Sequence, residues 1–150
     1  MTTVHASAVL AGARAVLIRG AAGAGKSRLA LALIQAAQTG LLPFARLVGD
    51  DRVHLEAHHQ RLLVRPAATL AGLIEVRGLG IRRLEHEPVA LVGWVVDLAA
   101  DGAERLPESP DTVISAIRVP RLAVAAGADP LSSLLALLNS LPDADIKPRP

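Results

Sequence analysis

Ala15-Val16-Leu17-Ile18-Arg19, then Gly20-Ala21-Ala22-Gly23-Ala24-Gly25-Lys26-Ser27, then Arg28-Leu29-Ala30-Leu31-Ala32-Leu33-Ile34-Gln35: the reading of these consecutive stretches decides the fold. The first is a short apolar, β-branched run and reads as a buried strand. The last is rich in strong helix formers. Between them every fixed position of the pattern G-x-x-x-x-G-K-[ST] is filled, and strand, glycine loop and helix together make that pattern a phosphate-binding loop. Glycines at 20, 23 and 25 allow a tight curl and close approach of an anion. The amides of the loop and of the first helical turn, aided by the helix dipole, then face the phosphate. In this reading Gly20, Ala21, Ala22, Gly23, Ala24, Gly25, Lys26 and Ser27 bind a nucleotide, Lys26 reaches its β- and γ-phosphates, and the Ser27 hydroxyl sits on Mg²⁺.

Lys26 has one other lysine for company, Lys147; the remaining basic residues are arginines. It is therefore no part of a lysine-rich surface. A chain of 150 residues is long enough for one domain with a sizeable core, here an aliphatic one, with one Phe, one Trp and no Tyr. The net charge is only +2, and no basic stretch is interleaved with aromatics, which argues against a nucleic-acid partner. There is no cysteine, so disulfides and cysteine–zinc sites are excluded. Met1-Thr2-Thr3-Val4-His5 lacks the basic start of a signal peptide, and no apolar run nears the roughly 20 residues of a membrane span. The expectation is a soluble cytoplasmic protein with no membrane partner.

Outward from the loop, the pattern predicts one strand over Thr3–Leu10, a tight connection at Ala11–Arg14, and a helix from Ser27 to about Thr39 capped by Gly40. Leu41–Val48 reads as a core strand, and Val53–Leu55 with Leu62–Val64 as a hairpin around His58-His59-Gln60. A helical turn is expected within Ala67–Leu73. Ile74-Glu75-Val76 and Ile81–Leu84 read as extended around a loop at Arg77–Gly80, and Val89–Leu98 as the most hydrophobic strand. Asp101–Asp111 reads as a polar surface loop, Thr112–Val124 as strands broken at Pro120, and Pro130–Leu141 as a helix with Asp129 as N-cap. Residues 1–141 form the expected domain, and 142–150, with three prolines, a loose tail. Strands outnumber helices, so the expected fold is α/β with a mixed sheet.

Two further strings carry chemistry. Leu47-Val48-Gly49-Asp50-Asp51 puts paired carboxylates at a strand end, where α/β folds bind ligands. One acid can hold Mg²⁺ while the other takes a proton from an attacking hydroxyl. In Glu75-Val76-Arg77-Gly78-Leu79-Gly80-Ile81 an acid and an arginine two apart share one strand face, suited to metal and phosphate together or to a structural salt bridge.

With Val4-His5-Ala6-Ser7, the phosphate loop and Leu47–Val53, the string Leu73–Ile81 makes residues 3–124 resemble the catalytic domain of the HPr kinase/phosphorylase family. That resemblance implies a three-layer α/β/α P-loop kinase domain related to the phosphoenolpyruvate carboxykinases. It implies an ATP- and Mg²⁺-dependent serine kinase whose partner is an HPr-like phosphocarrier protein. By the same resemblance Asp50 is the base, Asp51, Ser27 and Glu75 surround Mg²⁺, Lys26 and the loop amides hold the phosphates, His5 sits near Asp50 and tunes it, and Arg77 positions phosphate. Alternatives from other classes are a P-loop kinase of small hydroxylated molecules and a nucleotide-binding regulatory module without transfer activity. The layout resembles a short form limited to the catalytic core. The stretch Ala125–Asp129 carries no positive charge where the long form has a basic lysine–glycine–arginine loop. Of Arg118 and Arg121, at most one could substitute, since residues three apart on a strand face opposite ways. Forward transfer is therefore expected to exceed phosphorolysis. Homo-oligomerisation is left open by the sequence.

Overall fold

The computed structural model of the chain describes residues 2–100 and 111–140. The expected tail at 142–150, with Lys147, and residues 101–110 of the expected surface loop lie outside the described residues. In chain order the elements are β1 (Thr2–Val4), β2 (Ser7–Ala11), β3 (Arg14–Arg19), α1 (Lys26–Gln38), β4 (Ala45–Gly49), β5 (Val53–His58), β6 (Arg61–Pro66), a 3-10 turn (Ala68–Leu70), β7 (Leu73–Val76), β8 (Gly80–Arg83), β9 (Ala90–Leu98), β10 (Asp111–Ile114), β11 (Ile117–Val124) and α2 (Pro130–Leu138).

The strand before the phosphate loop, β3, lies inside a nine-stranded mixed sheet ordered β1-β5-β6-β9-β3-β2-β4, with β11 also on β9 and β10 on β11. β3 runs parallel to β9, and β9 parallel to β11, while β2 is antiparallel to both β3 and β4. β3, β4, β9 and β11 therefore point the same way, and β2 points back. The carboxyl ends of those four strands and the amino end of β2 gather at one edge of the sheet, which is where such folds place ligands. β7 and β8 form a separate two-stranded hairpin, and β7 packs against α1.

Alternation sorts the apolar residues onto two faces. Val9, Val16, Ile18, Leu47 and Val96 meet Leu29, Ala30 and Leu33 of α1 and Leu134 of α2. Ala8, Ala15, Leu17, Val48 and Val95 meet Leu55, Leu62 and Val64 of the β5–β6 hairpin. Each fully buried Val or Leu contributes roughly 1.5–3 kcal/mol relative to exposure. The α/β class with a mixed sheet is thus observed. The helical layer covers one face and, among the described residues, the opposite face is covered by strands.

A bulge re-phases the edge. Val9 pairs with Leu47, but Ala8 pairs with Gly49, so Val48 is the extra residue on β4. Leu47 faces α1, while a Cβ on Gly49 would lie 2.7 Å from Val53 Cγ1 and 3.2 Å from Pro66 Cα, on the opposite face. Gly49 therefore has to be glycine, and Asp50 is returned to the helix side.

Three expected boundaries are corrected. The strand expected over Leu41–Val48 begins at Ala45 and ends at Gly49. Thr3–Leu10 is not one strand: it breaks at His5-Ala6, and β1 pairs β5 while β2 pairs β3 and β4. The break after Thr112 falls at Ser115-Ala116, both with positive φ (50° and 65°), and not at Pro120. Pro120 lies within β11, where pairing passes from β10 (Asp111↔Pro120) to β9 (Arg121↔Val95). The expected turn of helix, the hairpin around His58-His59-Gln60, the extended segments on either side of Arg77–Gly80, the Gly40 cap region (φ 85°) and the Asp129 cap, which accepts from Leu131 N at 3.0 Å, are present.

Candidate functional site

The loop between β3 and α1 closes on Gly25, whose φ of 102° only glycine adopts without strain. No side chain caps the helix and its first turn holds no acid, so its positive end is open to an anion. Lys26 lies back over the loop, with Nζ donating to Gly20 O at 2.8 Å and Ala21 O at 3.1 Å. In front is a cleft of about 1140 Å³, ample for a nucleoside triphosphate. It is lined by His5, Gly20–Gly23, Gly25–Arg28, Leu31, Asp51, Glu75–Gly78 and Gly80. The Ala24 side chain packs against the helix-side core.

The paired acids do different things. Asp50 is buried, with 3% exposure, and one carboxylate ties three segments together. Ser27 Oγ donates to Oδ1 at 2.7 Å and lies 2.8 Å from Oδ2, Ser7 Oγ donates to Oδ1 at 2.6 Å, and the Glu75 amide donates to Oδ2 at 3.3 Å. Among the described residues no basic side chain forms an ion pair with it. A buried carboxylate held only by neutral donors is incompletely compensated and suits a cation next to it. The Ser27 hydroxyl and the Asp50 carboxylate form a pair of hard oxygen donors, and Glu75, whose amide meets Asp50, brings a further carboxylate to the lining of the same cleft, a donor set of the type that suits Mg²⁺. Among the described residues no group of three or more His, Asp or Glu side chains is close enough to hold a metal unaided.

Asp51 is exposed and lines the cleft. Its φ is +66°, and Arg52 N donates across it to Asp50 O at 2.7 Å. That is a γ-turn of the rare positive-φ kind, a conformation that persists at functional sites because the surroundings enforce it. His5 also lines the cleft, but the contact it makes is with Arg52, Nη2 to Nε2 at 3.2 Å, and not with Asp50. Glu75 and Arg77 both reach the cleft, as expected, and no salt bridge between them occurs among the described residues.

Farther along the edge Asp97, at the end of β9, is gripped by two arginines. Arg19 donates from Nε to Oδ1 at 2.7 Å and from Nη2 to Oδ2 at 2.8 Å, and Arg121 Nε donates to Oδ2. Burial alone would raise the Asp97 carboxyl, but hydrogen bonds from Arg19 and Arg121, and their charges, hold it below the usual carboxylate range. A depressed native value stabilises the fold above the unfolded carboxylate value near about 4 and is lost as pH falls through the native one. Asp97→Asn is expected to lower unfolding free energy at pH 7 by about 1–3 kcal/mol, leaving two guanidiniums face to face. The deficit should shrink below about pH 4, as wild-type Asp97 protonates, in urea titrations at the two pH values. Arg118 meets Asp111 at 3.7 Å, so both arginines near Pro120 are paired.

Ser7, Arg52 and the Arg19–Asp97–Arg121 cluster carried no assigned role in the motif reading. Ser7 had a signal, a lone hydroxyl on the apolar face that holds Val9, Val16 and Ile18. The other contacts depend on strand order.

Fold and edge define an α/β phosphate-loop domain. The family described as HPr Serine kinase C-terminal domain matches residues 1–86, and the chain belongs to it. HPr kinase/phosphorylase of Halalkalibacterium halodurans is 40% identical over 81 residues, covering 53% of this chain and 24% of that protein. The HPr kinase/phosphorylase of Streptococcus thermophilus strain LMD-9 is 41% identical over the same length with the same coverage. The matched stretch thus spans about a quarter of those relatives. Among solved structures, the Hpr(Ser) kinase/phosphatase from Coxiella burnetii superposes with a TM-score of 0.75 at 24% identity, covering 93% of this chain and 95% of that one. The family match ends at residue 86, and the structural match, which covers 93% of this chain, speaks for the fold. Among the described residues no helix is long and apolar enough to cross a membrane.

Proposed function

We propose that this chain is an ATP-dependent, Mg²⁺-requiring serine kinase acting in the cytoplasm on an HPr-like phosphocarrier protein. The observation that carries this reading is the buried carboxylate of Asp50, which joins Ser27 to the backbone of Glu75, two residues that line the cleft.

In this reading the loop amides and Lys26 hold the β- and γ-phosphates, and Arg77 positions the transferred group. Ser27, Asp50 and Glu75 hold Mg²⁺, which when bound neutralises charge on the β- and γ-phosphates. The acceptor seryl oxygen attacks the γ-phosphorus, the bond to the β–γ bridging oxygen breaks, ADP leaves, and Asp51 takes the seryl proton. This reading exchanges the division of labour expected from the sequence, in which Asp50 is the base and Asp51 is at the metal. Asp50 is enclosed and already accepts from Ser27, whereas Asp51 faces the space an acceptor would enter. His5, held by Arg52, borders that space. With Arg118 and Arg121 paired and Ala125–Asp129 uncharged but for the helix-capping Asp129, phosphorolysis is weak.

The test is transfer from γ-labelled ATP to purified HPr-like proteins of the host. Label on a serine supports the reading. Label on a small hydroxylated molecule, or nucleotide binding without transfer to any acceptor, rejects it.

A further inference from the structure

We infer that Ser7 is a positioning residue for the cation side of the cleft, an inference that rests on the proposed role of Asp50 beside Mg²⁺. Ser7 and Asp50 are the buried polar or charged residues of the described chain, at 0% and 3% exposure, and they bond each other at 2.6 Å. Ser7 opens β2 on the helix-facing side, opposite Ile18 and two residues from Val9. Alternation calls for an apolar side chain there. A hydroxyl in that place is costly unless it is bonded, and its partner is Asp50.

The bulge at Val48 turns Asp50 to this same face, so strand phase and the serine hydroxyl converge on one carboxylate. The Ser7 proton occupies one lone pair of Oδ1, and the Glu75 amide approaches Oδ2. Together they fix the plane of the carboxylate. Of its remaining lone pairs one accepts from Ser27 and one is left for a cation, and the Ser27 oxygen can donate to Asp50 and still offer a lone pair to the same cation. Without Ser7 the carboxylate gains rotational freedom and loses a donor. Cation binding must then supply the ordering that Ser7 supplies in advance.

The experiment measures binding of a non-hydrolysable ATP analogue by calorimetry across a Mg²⁺ series, for wild type, Ser7→Ala, Ser7→Cys, Ser7→Thr and Asp50→Asn, with thermal unfolding of each. Ser7→Ala should raise the Mg²⁺ concentration at half-maximal effect by about five- to tenfold, the loss of one hydrogen bond to a charged group. Metal-free analogue binding should stay within about twofold of wild type, since Ser7 does not line the phosphate loop. Ser7→Thr keeps the hydroxyl and should restore the wild-type midpoint. Ser7→Cys, a poor donor of similar size, should move it, and it replaces Ser7→Ala if that variant is unfolded. A wild-type midpoint in Ser7→Ala and Ser7→Cys while Asp50→Asn shifts it overturns the role of Ser7, as does an equal shift in Ser7→Thr. A wild-type midpoint in Asp50→Asn overturns the reading of Asp50 itself, and Ser7 with it.

Discussion

Asp51→Asn is expected to reduce phosphate transfer by about a hundred- to ten-thousandfold, the usual contribution of a positioned base, while ATP affinity stays within about threefold of wild type. The asparagine keeps shape and removes the proton acceptor. Asp51 lines the cleft on an exposed turn, and no hydrogen bond of its side chain to another described group competes for the acceptor's proton. Asp51→Gly separates function from stability. The positive φ of 66° is strained for aspartate and free for glycine, so this variant should also lose transfer yet melt no lower than wild type. Transfer near the wild-type rate in Asp51→Asn, with a severe loss in an Asp50→Asn variant that still binds Mg²⁺·ATP normally, would return the base to Asp50.

Lys26→Ala should weaken ATP binding roughly ten- to a hundredfold, corresponding to about 1.5–3 kcal/mol for a charge-assisted contact. Without nucleotide, Nζ is held by Gly20 O and Ala21 O, so the residue also braces the loop. Lys26→Met keeps the aliphatic stem and so separates loss of the ammonium from loss of side-chain packing, while affinity and thermal unfolding, read side by side, separate charge from brace. If the charge matters, both variants lose affinity alike in a calorimetric titration. If only the brace matters, thermal unfolding falls in both while affinity, measured where both are folded, is unchanged.

Much of the site was legible because it is local. The run Ala15–Gln35 specifies strand, loop and helix by composition, and its motif fixes which atoms face an anion. His58-His59-Gln60 announced its hairpin, Arg77–Gly80 a loop between extended segments, and Asp129-Pro130 its helix start. Ser115-Ala116 gave no warning of a turn, because neither residue favours the positive φ that the structure imposes. The pairing of Arg121 with Asp97 joins residues 24 apart and follows from β11 lying parallel to β9.

The placement of Asp50 and Asp51 shows where local reading ends. Strict alternation from Leu47, which faces α1, would place Asp50 on the far side and Asp51 toward the helix. One extra residue, Val48, reverses that phase. The bulge exists because β4 must pair with β2 while Gly49 passes against Val53 and Pro66, contacts made by strands distant in sequence. By itself, then, the sequence determined the phosphate loop, the α/β class, the hairpins and the residue types brought to the cleft, since these follow from propensity and short-range spacing. The tertiary structure alone decided which carboxylate is enclosed with Ser7 and Ser27 and which is open to an acceptor, because register and strand phase are set by pairing across the whole sheet.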